Sequence, residues 1–235
     1  MLKRALAGVS AALLLTTLSA CGEEDSGADE ASDTTSADPT TTAPGEGSGE
    51  AGACSYVEDG SGGAELPPGE PAYSDNVAVN FSTTIGDFSA TLDAATAPCT
   101  VNSFASLAEQ GYFDDTTCHR LTVTQGFEVL QCGDPTGTGT GGPGYTIPDE
   151  YDGSETYPAG TLAMANTGAP DSGGSQFFIV YGDTQLPPQY TVFGTVDAAG
   201  IKAITQAAKA GVEPQMGPED GAPKTPIDLT TVSLG

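Results

Sequence analysis

The chain has 235 residues, with 32 acidic against 6 basic side chains and a formal net charge of −26. A negative field of that size repels phosphate backbones, so nucleic acid is excluded as a partner. A single histidine, and five cysteines with no Cys-x-x-Cys pair, leave no donor set for a zinc site. No metal and no cofactor is therefore expected.

Lys3 and Arg4, the apolar run 5–15 and the short stretch Leu18-Ser19-Ala20 read as a signal peptide over residues 1–20. Ser10, Thr16 and Thr17 break the run before it reaches the roughly 20 apolar residues of a spanning helix. Leu18-Ser19-Ala20-Cys21 resembles a bacterial lipobox. That resemblance implies a lipidated Cys21 at the mature N-terminus, anchored on the outer, extracytoplasmic face of the cell membrane. The alternative is a plain cleavable signal that uses Leu18 and Ala20 as its small-side-chain positions. Loss of Lys3 and Arg4 takes the charge from −26 to −28 and leaves Arg120, Lys202, Lys209 and Lys224 as the basic side chains. Residues 22–76 are dominated by Gly, Ser, Thr, Ala, Pro, Asp and Glu, with Tyr56, Val57, Leu66 and Tyr73 as their sizeable apolar side chains. Too little surface can be buried there to offset ordering entropy, so residues 21–76 are expected to form a disordered acidic linker.

Residues 77–235 are the size of one domain with a single core. Val77, Val79 and Phe81 alternate, as do Phe88, Ala90 and Leu92, on either side of a turn at 83–87, which predicts a hairpin. Strand-like runs follow at 129–132, 161–165, 176–181, 191–196 and 227–234. Two helices are expected. The first follows Pro98, with Val101, Phe104, Ala105 and Ala108 on one face and Gly111 after its end. The second starts at the N-cap Asp197, with Ile201, Ile204 and Ala208 on one face and Gly211 at its stop. Many short strands with two helices suggest a mainly β fold, a closed barrel with the helices as plugs.

Several motifs invite chemistry and fail their context. Gly137-Thr138-Gly139-Thr140-Gly141-Gly142 matches G-x-G-x-x-G, but Pro143, Gly144 and Pro148 follow where a phosphate cradle needs a helix N-terminus. Ser172 or Ser175 with His119 lacks the nucleophile elbow of a hydrolase. Asp114-Asp115 and Asp149-Glu150 imitate a glycosidase pair, yet their polar surroundings read as solvated turns.

In order along the chain come His119-Arg120, Gln131 with Gly133-Asp134, Gly139-Thr140-Gly141-Gly142, Met164-Ala165-Asn166, Gly174-Ser175-Gln176-Phe177-Phe178-Ile179 and Val192-Phe193-Gly194. Together they resemble the cyclophilin family of peptidyl-prolyl cis/trans isomerases, from about residue 77 to 235. The resemblance implies an eight-stranded antiparallel barrel closed by a helix at each end, with the active face outside. It makes Arg120 the catalytic residue, and gives the substrate groove to Val129, Gln131, Ala165, Asn166, Gln176, Phe178, Leu186 and Tyr190. Residues 121–130 are about three longer than the common form, so either Phe127 or Glu128 supplies the aromatic wall of the proline pocket. Leu186 stands where many members carry tryptophan, and Tyr190 where many carry histidine. His119 is expected to face inward as a hydrogen-bonding structural residue, because neighbours on a strand point to opposite faces.

With Cys21 lipidated, four cysteines remain in an oxidising compartment. Cys118 and Cys132 flank Arg120 and Gln131 on what should be antiparallel neighbours and are expected to pair. Cys54 and Cys99 pair by elimination. The implied partners are proline-containing exported polypeptides, met by a monomer tethered to the membrane through Cys21. The competing reading from another class is a non-catalytic peptide-binding or chaperone module on the same scaffold, since a fold alone does not guarantee turnover. A third, an adhesin or envelope-structure protein, rests on the acidic tail alone.

Overall fold

A computed structural model describes residues 53–235. The expected signal peptide, Cys21 and the linker up to residue 52 lie outside the described residues. Thirteen strands and two helices follow one another: β1 Val57–Glu58, β2 Asn76–Thr83, β3 Phe88–Asp93, α1 Pro98–Glu109, β4 Thr116–Thr117, β5 Arg120–Thr122, β6 Val129–Cys132, β7 Tyr145–Thr146, β8 Thr161–Met164, β9 Phe177–Val180, β10 Val192–Val196, α2 Ala198–Ala208, β11 Val212–Gly217, β12 Asp220–Pro223 and β13 Asp228–Leu234. The expected hairpin is β2–β3. Val77, Val79 and Phe81 point inward opposite Leu92, Ala90 and Phe88, and the rings of Phe81 and Phe88 stack at 5.0 Å.

The large sheet runs in the order β11-β12-β5-β6-β9-β8-β10-β3-β2-β13-β4 and is antiparallel throughout. This corrects the closed eight-stranded barrel. The hydrogen-bonded order is an open ladder of eleven strands, for two reasons. The chain from Thr116 to Thr122 is broken at Cys118-His119, so its first part pairs with β13 and its second with β6. The hairpin β11–β12, not anticipated from the sequence, then extends the ladder beyond β5.

Inside the sheet the core is aromatic. Phe104 of α1 lies 5.4 Å from Phe177, 5.5 Å from Phe193 and 4.8 Å from Phe113, ring centre to ring centre. Helix α1 begins at Pro98 as expected, and helix α2 is capped by Asp197, whose carboxylate accepts from Gly200 N–H at 2.8 Å. Helix α1 has no local side-chain cap. Instead Glu150 reaches across from 50 residues away, and its two carboxylate oxygens each accept at 2.8 Å from the N–H groups of Cys99 and Thr100. The pair Asp149-Glu150 is therefore not simply a solvated turn. Its second member satisfies the orphan donors of a helix start and meets the positive end of the dipole.

The disordered linker expected over residues 21–76 does not extend through its last part, because residues 53–75 are built into the domain. Cys54 is bonded to Cys99 of α1, β1 pairs with β7, and the Tyr56 hydroxyl donates to Cys99 O at 3.1 Å while accepting from Asn102 Nδ2 at 2.8 Å. Asn102, buried in α1, also donates to Pro68 O at 2.8 Å. The apolar side chains of this strap are few, and Val57 and Leu66 are exposed. A disulfide and hydrogen bonds from a buried amide hold it in place of apolar area.

Replacing Glu150 with Ala should lower domain stability by about 1–2 kcal/mol, the usual worth of a helix cap, whereas Glu58→Ala on the exposed strap should change it by less than about 0.5 kcal/mol. Denaturant melts of the two variants would show this, and equal losses would refute the capping role.

Candidate active site

One row of side chains crosses four strands. Arg120 on β5 is the direct partner of Gln131 on β6, Gln131 of Phe178 on β9, and Phe178 of Ala163 on β8. The adjacent row, Leu121, Leu130, Ile179 and Leu162, is buried in the core. Because side chains alternate along a strand, the row containing Arg120 lies on the outer face. There Val129, Tyr157, Ala163, Phe178 and Val180 form a second apolar cluster separate from the core, rimmed by Phe127, Ala165, Leu186, Tyr190 and Val192. The Phe178 and Tyr190 rings meet edge to face at 5.3 Å.

A cavity of about 110 Å³ opens on this face, lined by Arg120, Phe127, Val129, Gln131, Ala165, Asn166, Phe178, Leu186 and Tyr190. That is of the order of the roughly 150 Å³ cavity that takes a benzene ring, so a small ring can enter it. Every groove residue expected from the sequence is among these except Gln176. Gln176 lines the neighbouring cavity, with its amide held by Gly139 O at 3.1 Å and Gly141 O at 2.9 Å. The aromatic wall is Phe127, not Glu128. A tight turn, closed by Phe127 N–H donating to Thr124 O at 2.9 Å, turns the Phe127 ring to within 5.4 Å of the Arg120 guanidinium.

Two side chains grip the guanidinium through three of its N–H groups. Asp220 of β12 accepts from Nε and Nη2 at 2.8 Å each, and Gln131 Oε1 accepts from Nη1 at 3.3 Å. Gln131 Nε2 in turn donates to Gln176 Oε1 at 2.8 Å. The bidentate fork fixes the guanidinium plane, and two N–H groups remain free to meet a ligand over the cavity. Arg120–Asp220 is the one ion pair among the described residues. The sequence did not single out Asp220, since nothing in it tells this carboxylate from the other acids.

The glycine-rich loop carries its own anion. The Asp134 carboxylate accepts from the N–H groups of Thr136, Thr138, Gly139 and Gly141 and from the Thr136 hydroxyl. Burial would push its pKa up, but those hydrogen bonds outweigh it and hold the carboxyl below its ordinary value. This explains the failed dinucleotide match, because the donors that would cradle a phosphate are already occupied. Both disulfides, Cys118–Cys132 and Cys54–Cys99, are present. His119 is buried as expected, but its Nδ1 has no hydrogen-bond partner among the described residues, which corrects its expected bonding role.

Residues 78–233 match the family model of the cyclophilin type peptidyl-prolyl cis-trans isomerase/CLD. The chain belongs to this family. It is 50% identical over 179 residues to a Mycobacterium tuberculosis protein named "Probable peptidyl-prolyl cis-trans isomerase B", covering 71% of this chain and 56% of that one. The chain thus spans little more than half the length of that relative. Peptidyl-prolyl cis-trans isomerase B of Bacillus subtilis is 53% identical over 102 residues, covering 43% of this chain and 68% of that protein. Among solved structures, a cyclophilin type peptidyl-prolyl cis-trans isomerase of Cryptosporidium parvum superposes with a TM-score of 0.58 at 28% identity, covering 68% of this chain and 98% of that one.

Burial holds the His119 pKa below its ordinary value, with Asp134 opposing and Arg120 adding to the shift. Between its folded pKa and about 6.5 the unfolded chain binds a proton that the folded chain does not, so the stability due to His119 is full above about pH 6.5 and is lost as pH falls through that window. Melting curves from about pH 7.5 to 5 should show this loss, and His119→Gln should flatten it. An unaltered pH dependence in the variant would refute the assignment.

Proposed function

We propose that this domain catalyses cis/trans isomerisation of Xaa-Pro bonds in exported polypeptides and so assists their folding at the cell envelope. The oriented Arg120 guanidinium, at the mouth of a cavity of about 110 Å³ with Phe127, Val129, Phe178 and Leu186 among its walls, carries the reading. The barrier of ~18–20 kcal/mol arises from partial double-bond character of the C–N bond, so neither a covalent intermediate nor proton transfer is required. Phe178, Val129 and Phe127 grip the pyrrolidine ring. Asn166 and Gln131 hold the flanking peptide, so that one side stays fixed while the other rotates. As the bond twists, the prolyl nitrogen gains a localised lone pair, and the free N–H groups of Arg120 stabilise it more than the planar ground state. Asp220 acts behind the guanidinium as a positioning residue. The Cryptosporidium parvum relative was also crystallised in the presence of the dipeptide Ala-Pro, a ligand of the kind this cavity fits.

The same reading places the protein on the outer face of the cell membrane, with Cys21 lipidated after removal of residues 1–20. Among the described residues no helix is long and apolar enough to cross a membrane. Mass spectrometry of the membrane fraction should find the mature chain beginning at Cys21 with acyl chains attached. An unacylated Cys21, or a mature N-terminus elsewhere, would overturn the anchor.

Arg120→Ala should reduce kcat/KM on a short Xaa-Pro peptide about a hundredfold, equivalent to ~3 kcal/mol of transition-state stabilisation. Arg120→Lys should rescue little, because lysine lacks the planar fork that engages Asp220 and the substrate together. Asp220→Asn should cost about tenfold, mostly in kcat, by loosening the guanidinium. Near-normal rates in folded Arg120→Ala protein would favour the non-catalytic peptide-binding module.

A further inference from the structure

Beside the Arg120 pocket lies a second cavity of about 500 Å³ that shares Gln131, Ala165 and Asn166 with it. A peptide seated by its proline ring must run across or alongside this cavity. One part of its wall is made by Asp59 and Ser61 of the strap, which precede the matched residues 78–233. Among the described residues Asp59 is the one charged side chain that lines it.

The strap is fixed in place there. The Cys54–Cys99 bond ties one end of it to α1, and Asp59 N–H donates to Gly144 O at 2.9 Å. Gly144 N–H donates back to the Ser61 hydroxyl at 3.3 Å, and Ala64 N–H to Pro143 O at 3.0 Å. Gly62 is pressed so closely on the glycine-rich loop that a β-carbon there would collide with the Gly142 carbonyl. A wall held by a disulfide, several backbone hydrogen bonds and a tight glycine contact is pre-organised. The exposed Asp59 carboxylate accepts one hydrogen bond, from Ser61 N–H at 2.8 Å, and keeps acceptor capacity for a ligand.

We infer that Asp59 of the strap gives this cavity a charge preference for a side chain flanking the proline, pairing a lysine or arginine of the client and disfavouring an acidic one. This rests on the isomerase reading above. The partner is an ammonium or guanidinium on an extended peptide. The magnitude is that of an exposed ion pair, a factor of several and not of thousands.

The test uses the full chain and two peptide series, with Ala, Lys or Glu placed two residues before or two residues after the proline. kcat/KM is read by exchange spectroscopy and Kd by NMR titration, at low and high salt. In one of the series Lys should exceed Glu by about five- to tenfold, and the ratio should shrink in about 1 M salt. Asp59→Asn should bring that ratio to within about twofold, while Glu58→Gln, next to it on the strap, should keep it. Equal rates and affinities for Lys and Glu in both series, or an undiminished ratio in Asp59→Asn, would overturn the subsite. If no peptide is turned over but the Kd values keep the preference, the isomerase reading fails and the subsite stands. If the neutral peptide is turned over without any charge preference, the subsite fails alone.

Discussion

The register between β5, β6, β9 and β8 is the constraint on which the site depends. Arg120, Gln131, Phe178 and Ala163 share the outer row, and Leu121, Leu130, Ile179 and Leu162 share the row beneath the sheet. A slip of one residue would exchange the rows, burying a guanidinium and an amide while exposing four apolar side chains. Each large aliphatic side chain contributes about 1.5–3 kcal/mol on burial, so the core row enforces the register and thereby aims the outer one. The Cys118–Cys132 bond ties the end of β6 to the segment that leads into β5, beside the row.

Above that register runs a chain of polar contacts whose direction is set at both ends. Asp220 accepts from Arg120, Arg120 donates to Gln131, Gln131 donates to Gln176, and Gln176 donates to the carbonyls of Gly139 and Gly141. The N–H groups of those two glycines are turned to Asp134. Each amide has one way round that satisfies both neighbours, so the groove reaches its ligand already oriented. The same chain links the proline cavity to the larger one walled by the strap, and it accounts for Gln176 serving the loop and Gln131 more than the proline itself.

The legible parts were those whose side-chain type or spacing is informative on its own. Alternation placed the β2–β3 hairpin, the Pro98 and Asp197 signals placed both helices, and the ordered motifs around Arg120 brought eight of nine cavity residues to the page. Phe127 and Glu128 could not be separated, because a three-residue insertion blurs register until the turn at Thr124 is seen. Asp220 was hidden among 32 acids and sits 100 residues from its partner. The strap was missed because apolar content was used as the measure of order. Its anchors are a disulfide and the buried Asn102, which composition does not reveal. The open ladder departs from the expected closed barrel at Cys118-His119, where nothing in the local sequence marks a break.

An oriented arginine over a proline-sized cavity should make this domain a catalyst and not only a binder. Exchange spectroscopy on a short Ala-Pro peptide, with and without the purified chain, separates the two. Uncatalysed exchange takes roughly 10–100 s. Catalytic amounts of the chain should bring cis and trans resonances into exchange within milliseconds to seconds. Shifted peptide resonances, proving occupancy of the groove, with exchange still at the uncatalysed rate would contradict the account.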